Sequence, residues 1–358
     1  MTRDLESGAV AGSGILVGLS GGVDSAVAAS LLVERGYRVV GVTLRLCPGE
    51  PSWHGPHRGS AEALERAGSV ADKLGIEYHV VDARRAFEER VVRYFVDEHE
   101  AGRTPNPCVK CNARLRFGLL LEIASGMSLD HIATGHYARM VGEPRSLARG
   151  VDRAKDQSYV LAEVDPALLR RTLFPLGDMT KGEVKTRAAQ EGLMQGSVVE
   201  SQEICFIPDN DHRRFLRERL GERPGRLIDR SGKVVGRHEG TYNFTIGQRK
   251  HIGVAGPEPL YVVGLAAESG EVTVGCAREL DVGAVTIDRI VRHRPAGAGS
   301  LTAQLRSTGD AVPAHMDAAE TIVLEAPLKG IAPGQTAVLY EGDAVVLAGT
   351  IQATKAWC

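Results

Sequence analysis

The chain has 358 residues, 43% hydrophobic and 25% charged, which suits a soluble globular protein of two or three domains. Its net charge of −2 excludes a globally basic nucleic-acid binder, so any RNA contact must come from local patches. No apolar stretch approaches about eighteen residues, and the residues before Ile15 are polar and acidic, so the expectation is a cytoplasmic protein with no membrane anchor.

The first element is an apolar run, Ile15-Leu16-Val17, which reads as a buried strand. It enters a turn with adjacent Gly21 and Gly22 and opens into Ala26 to Val33, a helix. Paired glycines let backbone N–H groups approach an oxyanion, and the positive end of the helix dipole faces the same place. No Gly-Lys-Ser/Thr follows, which disfavours a kinase or GTPase loop. The plain alternative is a glycine-rich turn with Asp24 or Ser25 as a cap.

Tyr37 to Leu46 reads as the second strand, Ala61 to Leu74 as a helix, Ile76 to Val81 as a third strand, and Arg85 to about His99 as a helix. Such alternation predicts a doubly wound parallel sheet with ligands outside the carboxyl ends of its strands. Arg103 to Pro107 forces a stiff, extended loop before a helix near Asn112, delivering Cys108 and Cys111 to that helix's start. A thiol at a helix amino terminus has its pKa lowered, which would suit Cys111 as a nucleophile. His131 to Ala138 reads as a short strand and turn that bring Gly135 and His136 into the same crevice as the loop.

Between His212 and His238 stand eight arginines and one lysine against three acids, a local balance of +6. That is either a phosphate-binding patch or a solvated face. From about Gly225 the texture turns to short β segments with turns at Arg230-Ser231-Gly232 and Glu268-Ser269-Gly270, and Pro295 to Gly299 forms a further turn. The division expected is 1–208, 209–280 and 281–358. Six cysteines, Cys47, Cys108, Cys111, Cys205, Cys276 and Cys358, should be reduced in a cytoplasmic protein, so catalysis or metal binding is the sharper question.

Ser20-Gly21-Gly22-Val23-Asp24-Ser25 resembles the pyrophosphate loop of the N-type ATP pyrophosphatases, the PP-loop superfamily, which split ATP between the α and β phosphates. Further stretches carry a closer resemblance: Gly102 to Cys108, Cys111-Asn112, Ala133 to Tyr137, Asp156 to Tyr159, Ser201 to Ile207, Thr245 to Lys250 and Leu260 to Val263 look like the tRNA-specific 2-thiouridylases. That resemblance weakens over the last eighty or so residues. It implies a PP-loop domain, a small central β-rich domain and a carboxyl-terminal β-barrel. The substrate it implies is a tRNA anticodon stem-loop whose wobble uridine gains sulfur at C2, with ATP, Mg²⁺ and a sulfur-donor protein, a cysteine desulfurase or relay protein.

By the same resemblance Gly18, Leu19, Ser20, Gly21, Gly22, Val23, Asp24, Ser25, Leu44 and Gly135 hold the nucleotide. Asn106, Pro107 and Cys108 receive the target base, and His136, Lys155, Asp156 and Gln157 contact tRNA. Cys205 carries a persulfide and Cys111 is its partner, so that the cycle ends in a Cys111–Cys205 disulfide. Many members of the family carry Asp where this chain has Cys108, and the resulting C-x-x-C leaves a second chemistry open. Cys108, Cys111 and Cys205 would then hold three corners of an iron–sulfur cluster, or with His131 or His136 a zinc ion. A small-molecule ligase or amidotransferase of the argininosuccinate or NAD synthetase kind would share the loop, and a non-catalytic RNA-binding module could keep it as a relic.

Overall fold

In the computed structural model, residues 12–47, 60–193, 204–207, 209–256, 258–317 and 320–357 are described. Ser201, Gln202 and Glu203 of one motif, and Cys358, lie outside the described residues. The chain forms two compact units. The first comprises residues 1–91, 108–208 and 343–345; the second, 92–107, 209–342 and 346–358. Among the described residues no helix is long and apolar enough to cross a membrane.

The first unit is built on a parallel sheet of β1 (Gly14–Gly18), β2 (Arg38–Arg45), β3 (Glu77–Asp82), β4 (His131–Ala133) and, beyond the hairpin of β5 (Ala138–Val141) and β6 (Ser146–Arg149), β7 (Thr172–Leu173). Its order is β3-β2-β1-β4-β7, and every neighbouring pair is parallel. The order reverses between β1 and β4, so a crevice opens beyond their carboxyl ends, the usual ligand position in such sheets. Gly18 and Ala133 close those two strands, which puts the glycine loop and Gly135 at the switch point.

Helix α1 (Val23–Glu34) buries every residue from Ser25 to Leu32, as a helix covered on both sides must. The sheet residues Ile15, Val17 and Val39 pack in one cluster with Val27 and Leu32 of α1 and Val184 and Ala188 of the helix Lys181–Gln190. Helix α2 (Ala61–Leu74) begins where Ser60 accepts the Ala63 N–H at 3.2 Å and ends at left-handed Gly75, φ +64°. Its buried residues Ala63, Ala67, Val70 and Ala71 keep a helical spacing, the last three packing in the same core.

The helix expected from Arg85 to His99 is in three parts: Arg84–Phe87, a π-helical segment Glu88–Val92, and Arg93–Glu100. The last part belongs to the second unit, where Phe95 meets Phe215 of the helix His212–Leu220 edge to face at 6.2 Å. That unit then forms a sheet ordered β10-β11-β8-β9 from β8 (Gly225–Ile228), β9 (Val234–His238), β10 (Tyr261–Ala266) and β11 (Glu271–Gly275). Leu227, Phe244, Val262, Val272 and Val274 make its core.

A closed antiparallel barrel follows, from β12 (Asp281–Arg292), β13 (Leu301–Gln304), β14 (Val312–Met316), β15 (Thr321–Lys329), β16 (Thr336–Glu341) and β17 (Ala344–Ala356). The order β12-β15-β14-β13-β16-β17 is closed by β12 pairing β17, from Val282↔Ala356 to Arg292↔Leu347. Closure leaves the barrel no free edge. The turn after β12 is held where Glu341 accepts the N–H of Gly299 at 2.8 Å and of Gly297 at 3.3 Å. The expected fold class, a doubly wound parallel-sheet domain followed by a small β-rich domain and a β-barrel, is the one observed.

Candidate active site

The loop after β1 is stapled from within. Ser25 Oγ accepts the Ser20 N–H at 3.1 Å and donates to the Gly22 carbonyl at 2.9 Å. Gly21 has φ +73°, and a Cβ there would lie 2.3 Å from the Ala63 carbonyl oxygen, so only glycine fits on both counts. Gly22 caps α1 without a side-chain hydrogen bond, which leaves the N–H donors of the first helical turn for a bound anion. A pocket here is lined by Gly21, Gly22, Val23, Arg66 and Leu193, and Arg66 Nε donates to the Gly21 carbonyl at 3.0 Å.

Gly135 closes on the loop from β4: a Cβ there would be 2.9 Å from Asp24 C and Ser25 N. Leu19 is fixed from β2, its N–H donating to Val42 at 2.8 Å and its carbonyl accepting from Thr43 Oγ1 at 2.6 Å. Leu44 lies inside β2, half-buried near its carboxyl end.

Asp24 is the loop's one acidic side chain, and it is already engaged. Lys181 Nζ donates to its two oxygens at 2.7 and 2.8 Å, and Tyr137 Oη donates to it at 2.9 Å. Lys181 is the first residue of its helix, which Thr180 and Glu183 cap reciprocally. A cation at that position runs against the helix dipole, so Asp24 offsets the mismatch while the lysine brings positive charge to the loop. Asp24 Oδ1 is filled by Lys181 and Tyr137, while Oδ2 takes only Lys181, so Oδ2 is the atom of this side chain that could still reach a nucleotide-borne Mg²⁺. Lys181 and Arg66 stand in no motif of the sequence, and Tyr137 stands in one without a role of its own; the Thr180-x-x-Glu183 box is a local signal that marks Lys181 as a first helical residue.

Tyr137 is itself fixed by Gln157, whose N–H donates to the Tyr137 carbonyl at 2.9 Å and whose Oε1 accepts the Tyr137 N–H at 3.0 Å. Asp156 accepts from the N–H of Gly150 at 2.9 Å and from Ser158 Oγ at 2.7 Å, while the half-buried Lys155 caps a turn through its N–H to Asp152. Two of these three residues therefore spend their side chains inside the fold. His136 is 8% exposed, bonds Thr134 Oγ1 at 2.8 Å and packs in a triangle of rings with Phe117 and Phe174. It is enclosed as a core histidine rather than presented to a macromolecule.

The helix carrying Cys108 and Cys111 runs Pro107–Cys111 and passes into a π segment, Asn112–Arg116, then into Phe117–Gly126. It starts five residues earlier than expected, because proline is favourable at a first helical position. Cys108 consequently occupies the first turn and is exposed, while Cys111 lies beyond that turn and is buried. The helix-terminus argument thus applies to Cys108 better than to Cys111, since the dipole acts mainly within the first turn. Lys110 between them is 1% exposed and forms an ion pair with buried Glu163, and Asn112 Nδ2 donates to the Val160 carbonyl at 3.0 Å. Asn106 is half-buried and Pro107 buried ahead of them.

Cys205 is half-buried, and its carbonyl accepts the thiol of Cys47 at 3.2 Å. Cys47, Cys108, Cys111, Cys205 and Cys276 are all free thiols, so the implied Cys111–Cys205 disulfide is not formed here. Among the described residues no three His, Cys, Asp or Glu side chains gather as a metal site. As arranged, Cys108, Cys111 and Cys205 do not fit the corners of a cluster, nor do His131 or His136 complete a zinc site.

The arginine-rich stretch is largely neutralised by acids. Arg214 pairs with Asp209 at 2.6 Å, Arg223 with Glu100 at 2.7 Å and Arg226 with Glu271 at 2.8 Å, and Arg230 pairs with Glu279. Arg219 lies over the Phe215 ring at 3.7 Å. Exposed Arg213, Lys233, Arg237, Arg249 and Lys250 form no salt bridge among the described residues, so unpaired positive charge remains in the stretch and extends beyond it to Lys250.

A parallel sheet with an uncapped glycine loop at its switch point, followed by a small β domain and a barrel, defines a PP-loop protein with two β appendages. Residues 13–209 match the family described as tRNA methyl transferase HUP domain, 213–276 its PRC-barrel domain, and 284–351 the aminomethyltransferase β-barrel domain. Curated relatives agree over nearly the whole length. A tRNA-specific 2-thiouridylase MnmA of Carboxydothermus hydrogenoformans is 42% identical, covering 94% of this chain and 97% of its own. That of Mycolicibacterium smegmatis is 43% identical (94% and 99%), and that of Streptomyces avermitilis 44% (95% and 95%). The chain belongs to the family of the tRNA-specific 2-thiouridylases.

Proposed function

We propose that the chain is a cytoplasmic tRNA-uridine 2-sulfurtransferase that uses ATP to replace the C2 oxygen of the anticodon wobble uridine by sulfur. The observation that carries this reading is the intact, uncapped loop Ser20–Ser25 at the switch point of a family member that keeps both Cys111 and Cys205. Residues 1–208 would activate and thiolate, with 209–280 and 281–358 as tRNA-binding β domains.

Uridine O2 is a poor leaving group, so it first attacks the α phosphorus of ATP and pyrophosphate departs. The loop N–H groups, Lys181 and Arg66 stabilise the negative charge that develops on that pyrophosphate. The target base must leave its stack, and Asn106, Pro107 and Cys108 form the stretch that receives it. Residue Lys155 contacts the RNA, with Asp156 and Gln157 holding it in place.

Sulfur arrives as a persulfide on Cys205, loaded by a donor protein. The Cys111 thiolate attacks Cys205 Sγ, the bond to the outer sulfur breaks, and hydrosulfide is released next to C2. Hydrosulfide adds to C2 and AMP leaves with the former O2. The sulfane sulfur has been reduced and the two thiols oxidised to a Cys111–Cys205 disulfide, which a dithiol reductant reopens.

Nucleoside mass analysis of tRNA incubated with ATP, a persulfide donor and each variant tests this chemistry. Cys111→Ser and Cys205→Ser are expected to abolish 2-thiouridine, and Cys108→Ser to retain it in iron-free buffer. Equal loss in all three, with loss of bound iron after anaerobic reconstitution, would transfer the role to a cluster. An adenylated small molecule formed without RNA would favour the ligase reading.

A further inference from the structure

The relay just described uses two thiols, yet a third is built against it. Cys47 follows β2 on the sheet's carboxyl side, and its Sγ donates to the Cys205 carbonyl at 3.2 Å. With the thiol of Cys47 against the backbone of Cys205, the Cys205 side chain is also the largest influence on the charge of that thiol. That influence, helped by Arg116, holds the Cys47 thiol below its ordinary pKa, against burial and the like charge of Cys111, which oppose it. Cys111 is therefore within electrostatic reach of the same sulfur. Half-buried Cys47 is thus neither an inert core residue nor isolated: it touches the residue assigned the persulfide, 158 positions away in sequence.

We propose that Cys47 is the resolving thiol of the relay, which takes Cys205 from Cys111 at the end of each cycle. This rests on the proposed sulfur-transfer function. The Cys47 thiol gives up its proton to solvent, and its Sγ attacks Cys205 Sγ in the Cys111–Cys205 disulfide. A Cys47–Cys205 bond forms, the Cys111–Cys205 bond breaks, and Cys111 leaves as the thiolate it must be for the next round. The exchange needs no oxidant, because one disulfide replaces another. A dithiol reductant then attacks the Cys47–Cys205 bond and regenerates both thiols. The physical gain is access: one end of the Cys111–Cys205 bond is the buried Cys111, whereas both ends of the Cys47–Cys205 bond are half-buried, so a bulky protein reductant meets less obstruction there.

The test is non-reducing peptide mapping of the full chain after turnover without reductant, alongside steady-state thiolation with a thioredoxin-class protein reductant. Wild type is expected to yield a Cys47–Cys205 linked peptide. Cys47→Ser should lack it, accumulate the Cys111–Cys205 link, and turn over about tenfold more slowly with the protein reductant. Excess dithiothreitol, small enough to reach the buried bond, should restore Cys47→Ser towards the wild-type rate, which no merely structural defect would allow. Absence of the Cys47–Cys205 peptide in wild type that makes 2-thiouridine would overturn the resolving role of Cys47 alone, as would a Cys47→Ser deficit that dithiothreitol leaves untouched. Failure of wild type to make 2-thiouridine, while oxidised dithiothreitol still forms the link, would sink the assigned reaction and the resolving role together.

Discussion

Replacing Gly135 by alanine probes how tightly the nucleotide loop is held. The added Cβ would stand 2.9 Å from Asp24 C and Ser25 N and 3.0 Å from the Asp24 carbonyl oxygen, all backbone atoms that cannot rotate away. Restoring ordinary contact means moving the start of α1 by about half an ångström, at a cost of about 1–3 kcal/mol for overpacking. That displacement acts directly on the N–H donors meant for pyrophosphate and on Asp24. Misplacement on the ångström scale at a reacting centre costs about 10²-fold in rate. A suitable control is Gly75→Ala at the end of α2, where φ is +64° and nothing lies within 4 Å of the new Cβ. There the left-handed backbone costs about 1–2 kcal/mol and the loop is untouched. Tm by circular dichroism and pyrophosphate release with saturating tRNA should therefore part company. Both variants lose stability, and only Gly135→Ala loses turnover out of proportion. Equal activity in the two variants at matched loss of Tm would refute the close approach as a functional constraint.

Two other expectations follow from the second unit. His99 is 8% exposed, and burial lowers its pKa from 6.5 to about 4 while its Nδ1 is 2.8 Å from the Phe95 carbonyl. Because the unfolded chain takes up that proton at higher pH than the native one, stability should fall as pH drops from about 6.5 to 4, by about 3 kcal/mol in all. Urea titrations at several pH values should show a shallower slope in His99→Gln, and an unchanged slope would mean that His99 is not the group responsible. For RNA, Arg249→Gln with Lys250→Gln should lower the salt dependence of tRNA binding by about one unit of slope per lost phosphate contact. Arg214→Gln and Arg223→Gln, whose cations already face Asp209 and Glu100, should change it less; the reverse ranking would restore the arginine-rich stretch as the docking surface.

What the sequence made legible is what local chemistry determines. Helix α2 is found at the expected residues because Ser60 and Gly75 mark its two ends. The glycine loop is legible for the same reason, since strand, turn and helix follow within a few residues of one another. The start of the Cys108 helix was misjudged because a proline serves equally in a stiff loop and at a first helical position, and only the following turn decides. Nothing local shows that Arg93–Glu100 leaves the first unit, since its stripe is satisfied by Phe215, far along the chain. The charge count failed differently: Glu100, Glu271 and Glu279, which neutralise Arg223, Arg226 and Arg230, all lie outside the window that was summed. Lys181 meets Asp24 across 157 positions and Cys47 meets Cys205 across 158, separations at which no periodicity or spacing carries information.

Those long-range bonds also bear on what the stretch Lys155–Gln157, proposed to contact tRNA, can tell the nucleotide loop. Gln157 grips Tyr137 at two points, 2.9 and 3.0 Å, and Tyr137 reaches Asp24 by one hydrogen bond of 2.9 Å. The single Tyr137–Asp24 bond is the narrowest link in that series, and a hydrogen bond to a charged group contributes about 1.5–3 kcal/mol. If tRNA contacts Lys155 as proposed, the share passed through this hydrogen bond would change the loop's preference for nucleotide by about 150-fold at most, while Lys181, over the Tyr137 ring at 5.8 Å, is a second link. Lys181, which holds the same carboxylate through two bonds from another helix, opposes any such shift by keeping Asp24 in place. The loop is thus better arranged to be ready for ATP before tRNA arrives than to be assembled by it. Order of substrate binding would then be set by access to the crevice and not by a change in the loop.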